Sequence, residues 1–174
     1  LSLGKHLIGH RNLPLLLLQA RELVIVHFRP LLNANGITEQ QWRIVRVLVE
    51  TGPLEPREIG GYCRLSSPSL AGVLSRMEEL GFVTRKRLTH DQRRVRVSLT
   101  ARSRALAARM APQIEATYQH VEQLIGTDLS SQFYRVLDDV IAVLEPLSPP
   151  GGTCRVITAS ASSEHSSDTA ISRK

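Results

Sequence analysis

Residues 65–100, LSSPSLAGVLSRMEELGFVTRKRLTHDQRRVRVSLT, constrain the fold more than any other stretch. Leu70, Val73, Leu74, Met77 and Leu80 recur at the spacing of one helical face, and Gly81 stops the pattern. The chain then alternates around a polar tip, with strands expected at residues 82–88 and 95–99 and a turn at 89–94. Arg85, Lys86, Arg87, Arg93, Arg94 and Arg96 crowd this hairpin, with Asp91 as the acid among them. A short helix followed at once by a basic hairpin is the layout of a winged helix-turn-helix. The expected fold class is therefore mainly α with a small β-wing.

Bulk charge alone does not decide what this segment does. The net charge of +6 suits an anionic partner, but equally a solvated basic surface. The clustering of six basic side chains favours double-stranded DNA. With 42% apolar but only 4% aromatic residues, the core must be mainly aliphatic. No run approaches the roughly 20 apolar residues that span a bilayer. The leucines of residues 13–18 follow Lys5, His6, His10 and Arg11 as a signal peptide would, but Gln19, Arg21 and Glu22 interrupt them without a small-residue cleavage site. No membrane partner is expected, and the cytoplasm is the default location. Cys63 and Cys154 have neither disulfide-framework nor metal-ligand spacing, so neither a metal nor a cofactor is expected.

The remaining segments position this unit. Residues 12–32 read as a first helix, with Pro14 in its first turn and Leu17, Ala20, Val24 and Phe28 at helical spacing. Thr38 and Gln41 form a capping box that opens a second helix, with Trp42, Val45, Leu48 and Val49 inward. A third helix covers residues 55–64, and the fourth, 67–80, is the recognition helix. Thr100 caps a fifth helix that reaches residue 125 and should kink at Pro112. Ser130 opens a sixth, with Phe133, Val136, Leu137, Val140, Ile141 and Leu144 inward. The first, fifth and sixth helices carry more apolar surface than one small winged unit needs, which predicts a homodimer. Its two recognition helices would lie about one DNA turn apart, roughly 34 Å, on a pseudo-palindromic operator. The expected organisation is an arm at 1–11, a dimerisation region at 12–37 and 100–147, the winged unit at 38–99, and a Ser/Thr/Gly-rich disordered tail at 148–174.

On the recognition helix, Pro68, Gly72 and Ser75 are small enough for a phosphate or base edge to come close. Ser66, Ser67 and Ser69 supply hydroxyls at a helix start, where free backbone N–H groups and the helix dipole suit phosphate. Ser67 can serve as N-cap, phosphate contact or both. Arg76 can read guanine bidentately or hold phosphate. Arg85 and Arg87 extend the basic surface onto the wing.

Two pieces of sequence resemble the MarR family of bacterial regulators. The first is Asp91-x-Arg93 followed by Val97-x-Leu99-Thr100, and the second is Leu74-x-x-Met77-x-x-x-Gly81-Phe82-Val83. The similarity covers residues 12–147, and order and number of segments agree with it. Ser103 departs from the glycine that many members carry there. Residues 13–18, 28–30 and 36–43 look closer to the subgroup of repressors of homoprotocatechuate and related aromatic-acid catabolism, nicotinate degradation included. The resemblance implies that Asp91 orients Arg93 at the wing tip while Arg93 or Arg94 enters the minor groove. It also implies repression as the default and an effector bound between the dimerisation helices and the winged unit. Arginines for a carboxylate and aromatics for a ring are supplied by His10, Arg11, Arg21, Phe28, Trp42 and Arg46, with His27 nearby. A small aromatic carboxylate is the expected effector.

Other functions have less support. Six histidines and several acids make no nucleophile–base–orienter set, and no glycine-rich phosphate loop stands at the start of a helix, so catalysis is not expected. A redox switch would need an accessible cysteine of lowered pKa, whereas Cys63 sits among apolar neighbours. A winged module that binds protein, or DNA architecturally without an effector, is the alternative.

Overall fold

The computed structural model describes residues 10–88 and 91–145, with Leu88, Asp91 and Gln92 described by backbone alone. Of the expected arm only residues 10 and 11 are described, and the expected tail at 148–174 lies outside the described residues. Among the described residues the order is α1 (Leu13–Ile25), α2 (Arg29–Ala34), α3 (Glu39–Thr51), α4 (Pro56–Cys63), α5 (Ser67–Glu79), β1 (Val83–Leu88), β2 (Asp91–Leu99), α6 (Ala101–Ile125) and α7 (Thr127–Leu144). The fold is mainly helical with one small antiparallel sheet, as the sequence leads one to expect.

The expected first helix is two helices. Pro30 lacks an N–H, and its ring would meet the Val26 carbonyl four residues back. The chain instead tightens, with His27 N donating to Val24 O and Phe28 N to Ile25 O, and restarts with Pro30 in the first turn of α2. The α3 capping box forms as expected: Gln41 N donates to Thr38 Oγ1 and Thr38 N to Gln41 Oε1. Its inward stripe is shifted from the expected one. Ile44, Val45, Val47 and Leu48 are buried, whereas Trp42 is half-buried and Val49 is exposed. The reason is that α3 packs on α4, α5, β2 and α6 together, and the Trp42–Val49 side borders open space.

α4 and α5 cross closely. A Cβ on Gly60 would lie 3.3 Å from the Leu65 carbonyl and 3.4 Å from Leu70 Cδ2. Ile59, Cys63, Leu70, Leu74 and Met77 form the buried seam, which makes Cys63 core as expected. β1 and β2 pair from Val83↔Leu99 to Arg87↔Val95, and a bulge follows Arg87. β2 starts at Asp91, so Arg93 and Arg94 stand on a strand rather than in the turn of the sequence reading. Leu54 adds a bridge outside the two strands, bonding both ways with Val97 and tying the α3–α4 connection to the wing.

Ser103, the departure from the resembling pattern, is fully buried, and its Oγ donates to the Phe82 carbonyl at 2.6 Å. This anchors the start of α6 to the strand entry. α6 continues through Pro112, which removes the bond to the Ala108 carbonyl without ending the helix. Gly126, at φ 92°, is the only residue between α6 and α7. α7 opens at Thr127, three residues before the expected start. Its expected inward face points outward in the single chain: Phe133, Val136, Val140, Ile141 and Leu144 are exposed, and Leu137 is half-buried. α1 has no buried residue at all, and Leu15, Leu16, Leu18 and Leu23 are exposed. The core is already complete among α2–α6 and the wing, so these two faces have nothing among the described residues to cover them.

Candidate nucleic-acid interface and ligand cavity

The outer face of α5 presents Ser66, Ser67, Pro68, Ser69, Gly72, Ser75 and Arg76, all exposed. Ser66, not Ser67, is the N-cap, and its hydroxyl donates to Ser69 Oγ rather than accepting from a backbone N–H. The amide groups that open α5 therefore carry no side-chain cap. Around Gly72 a Cβ would meet nothing within 4 Å, so internal packing gives no reason for glycine there.

The wing adds the densest positive charge. Lys86 stands opposite Arg96 across the strands, and like charges so placed repel. Neither they nor Arg87 have an acidic partner among the described residues. Three other arginines are paired with acids, Arg85 and Arg94 with acids on another element and Arg76 with one three residues along α5. Arg85 Nε lies 3.1 Å from Glu78, Arg76 Nη1 lies 3.0 Å from Glu79, and Arg94 pairs with Glu55 at the N-cap of α4. All three arginines are solvent-accessible, where such pairs contribute little and exchange readily for phosphate. The Asp91 side chain, which the sequence reading sets against Arg93, lies outside the described residues. Sequence reasoning missed Arg57 and Arg64, which line a groove of about 730 Å³ with Ser66, Ser67 and Arg85. Arg64 takes the left-handed conformation, φ 51°, in the turn between α4 and α5, a feature with no local sequence signal.

A cavity of about 500 Å³ opens among α1, α3, α6 and α7. Trp42 and Arg46 from α3 and Tyr118 from α6 form one wall; Phe133 and Leu137 from α7 give apolar surface. Arg46 Nη1 donates to Tyr118 OH at 2.6 Å and its Nε to Glu50 at 2.9 Å. Its Nη2 has no hydrogen-bond partner among the described residues. Burial opposes the charge on Arg46, but the Glu50 and Tyr118 contacts outweigh it and raise its pKa further. Glu39 is bracketed by two cations: Arg43 Nη2 donates to it at 2.6 Å, and Arg21 pairs with it from α1. On the α7 side, Ser130 Oγ is buried without a hydrogen-bond partner among the described residues. Tyr134 OH lies 3.3 Å from Glu122, and burial followed by that carboxylate raises its pKa.

Residues 37–95 match the profile of the MarR family. Over 134 residues the chain is 38% identical to the homoprotocatechuate degradative operon repressor of Escherichia coli, covering 77% of this chain and 90% of that one. The chain belongs to the MarR family. Two solved structures agree over almost their whole length. The transcriptional regulator PA4135 superposes with a TM-score of 0.74 at 36% identity, covering 80% of this chain and all of that one. NadR in complex with 4-hydroxyphenylacetate gives 0.68 at 34% identity, covering 79% and 97%.

Within this MarR-family fold, the sequence-predicted ligand residues are only partly brought together. Arg21, Trp42 and Arg46 line the cavity. Phe28 is buried behind it, edge-to-face with Tyr118 at 4.8 Å between ring centres. His10 and Arg11 are exposed at the start of α1 and do not line the cavity in the single chain, and His27 instead stacks edge-on with His120. Tyr118, Glu39, Arg43 and Ser130 were missed as cavity residues. Tyr118 is legible in the α6 stripe, but its meeting with Arg46, 72 positions away, is purely tertiary. No helix among the described residues is long and apolar enough to cross a membrane.

Proposed function

We propose that the chain is a dimeric, sequence-specific DNA-binding repressor, released from a pseudo-palindromic operator by a small aromatic acid. The observation that carries this reading is the α3 helix. Its buried side shares a core with α5 and the wing, while its other side supplies Trp42 and Arg46 to the ligand cavity. A ligand that moves α3 moves the recognition helix with it.

At the DNA, the α5 hydroxyls and uncapped amides meet phosphate and base edges in the major groove, and Arg76 adds a bidentate donor. Arg93 and Arg94 on the wing reach the minor groove, where narrow A·T-rich sequence concentrates negative potential. Arg57 and Arg64 line the approach beside α5 and hold backbone phosphate. In the cavity, Arg46 and Tyr118 take the ligand carboxylate, Trp42 packs on its ring, and the orphan Ser130 hydroxyl takes a polar ring substituent. The E. coli relative's name and the NadR complex support an aromatic acid of the hydroxyphenylacetate class. The apolar faces of α1 and α7 meet in the dimer. No catalytic role is assigned, in keeping with relatives that are transcriptional regulators.

Footprinting on duplexes from upstream of the gene, with and without 4-hydroxyphenylacetate, tests the proposal. Protection of a two-fold site that disappears with ligand is expected. Equal affinity for random duplex would point to an architectural protein instead, and protection indifferent to every aromatic acid would remove the effector.

A further inference from the structure

The turn between α4 and α5 sets the direction of the recognition helix, and a side chain outside the turn holds it. α4 ends at Cys63, Arg64 takes the left-handed conformation, and Ser66 is already the N-cap of α5. Helix ends leave backbone carbonyls without intrahelical donors. Here Leu65 N donates to Gly60 O at 3.1 Å and Arg64 N to Gly61 O at 3.4 Å. The carbonyl of the buried Cys63 accepts from α3: Arg43 Nη1 donates to it at 2.6 Å, across 20 positions of chain. α5 brings no side-chain cap of its own to the turn.

Arg43 is itself held. Its Nη2 donates to Glu39 Oε1 at 2.6 Å, one turn back on α3. The two side chains are only 32% and 25% exposed, so water screens this pair less than it screens a surface pair. One guanidinium thus spans a carboxylate and a carbonyl with two donors in fixed relation, which a lysine cannot do. A second cation reaches the same atom from α1. Arg21 Nη2 also donates to Glu39 Oε1, and Arg21 Nη1 donates to Glu22 at 2.6 Å. The two guanidiniums repel each other across the shared oxygen, so drawing one closer loosens the other.

We propose that Arg43 is a positioning residue of the recognition helix: it fixes the α4–α5 turn, Glu39 orients it, and Arg21 opposes it by drawing on the same oxygen. None of the three needs to touch DNA, and no effector is required. The role of Arg43 rests on α5 being the DNA-reading helix, and the part played by α1 rests on the dimer. The consequence is a link between assembly and operator binding. α1 carries an exposed apolar face. Where a partner copy sets α1, it also sets Arg21, and through Glu39 and Arg43 the start of α5.

Amide hydrogen exchange on the full chain reads the turn directly, without DNA. Arg43→Lys keeps the charge and loses the fork, so exchange at residues 64–66 should speed up about tenfold while the middle of α6 is unchanged. Anisotropy titration on the footprinted operator gives the second readout. Arg43→Lys should lower affinity about tenfold with the salt slope unchanged, whereas losing a phosphate contact would reduce that slope by about one. Glu39→Gln should lower affinity a few-fold and Arg21→Gln should raise it a few-fold, and both effects should vanish in the Arg43→Lys background. Glu39→Gln leaves Arg43 in place and carries both readouts if the lysine variant misfolds. Unchanged exchange at residues 64–66, a reduced salt slope or additive effects in the double variants would overturn the positioning role. Lowered affinity in Arg21→Gln would overturn the opposition between the two arginines. If the wild-type chain binds no operator, the DNA-reading assignment of α5 fails, and exchange at the turn still decides for or against Arg43.

Discussion

Arg46 on α3 donates to the hydroxyl of Tyr118 on α6 at 2.6 Å, with its guanidinium carbon 5.5 Å from the same ring's centre. One contact thus joins the helix that carries the winged unit to the helix that leads toward α7. Removing the cation should be far worse for an aromatic carboxylate than removing the phenol. Arg46→Ala is expected to cost about 1.5–3 kcal/mol of binding, and Tyr118→Phe about 0.5–1.5 kcal/mol. The raised pKa keeps Arg46 charged at every working pH, so pH dependence belongs to the ligand. Affinity should hold at neutral pH and drop as pH falls through the ligand's carboxyl pKa, about 4. Calorimetry from pH 4 to pH 8 checks both; a midpoint near neutrality would point to a different titrating group.

Gly72 separates folding from DNA binding. With open space around its missing Cβ, Gly72→Ala should stabilise α5 by about 0.5–1 kcal/mol through helix propensity. The same methyl group should weaken operator binding if, as proposed, DNA approaches α5 closely at this position. Denaturant melts and gel-shift titrations on one preparation give the two signs. Unchanged DNA affinity would move the close approach elsewhere on α5.

Ser130 makes a similar split. Its buried hydroxyl has no partner among the described residues, so Ser130→Ala should leave the ligand-free protein equally stable or about 1 kcal/mol more stable. Affinity for 4-hydroxyphenylacetate should nevertheless fall about tenfold, while phenylacetate is unaffected. A loss of stability without ligand would mean that the hydroxyl serves the fold instead.

The exposed faces of α1 and α7 predict what breaks the assembly. Val140→Glu places a charge on the α7 face without touching the core of the chain. The variant should remain helical by circular dichroism, become monomeric by light scattering, and lose operator affinity with the second recognition helix. A stable dimer would exclude this part of α7 from the interface.

On the wing, Arg93→Ala is expected to weaken specific binding by about 1–3 kcal/mol and relax preference in the A·T-rich flank. Salt titration distinguishes this from simple loss of charge: a phosphate contact would lower the salt slope by about one and weaken all sequences alike.

The elements that make local signals were readable from residues alone. The Thr38–Gln41 box, the Leu70–Leu80 stripe and the alternation of the wing each depend on neighbours within one turn or one strand. What escaped depended on distance along the chain. The first helix divides because Pro30 acts on a carbonyl four residues earlier, inside a stretch whose apolar spacing reads as one helix over residues 12–32. Val49 fits the α3 stripe by spacing, yet α3 touches several elements at once and leaves that side open. The Glu55–Arg94 and Glu78–Arg85 pairs bring acids to a hairpin that looks almost purely basic in sequence. In the cavity, Trp42 and Arg46 share a helix and could be found together, but Tyr118, Glu39 and Ser130 meet them only through the packing of separate helices. The α7 stripe was read correctly as apolar, and its excess over what one winged unit needs pointed to a second copy; periodicity alone reports which side is greasy and not which molecule lies against it.

The junction at Gly126 has a geometric consequence. With a single residue between them, α6 and α7 have a fixed rotational phase. Each residue added there would turn α7 by about 100° about its own axis, at 3.6 residues per turn. One insertion would swing Phe133, Val140 and Ile141 away from their present direction while leaving every side chain intact. The chain can therefore vary the composition of α7 far more freely than its length at this point, and an insertion here should disable the protein where several conservative substitutions along the helix would not.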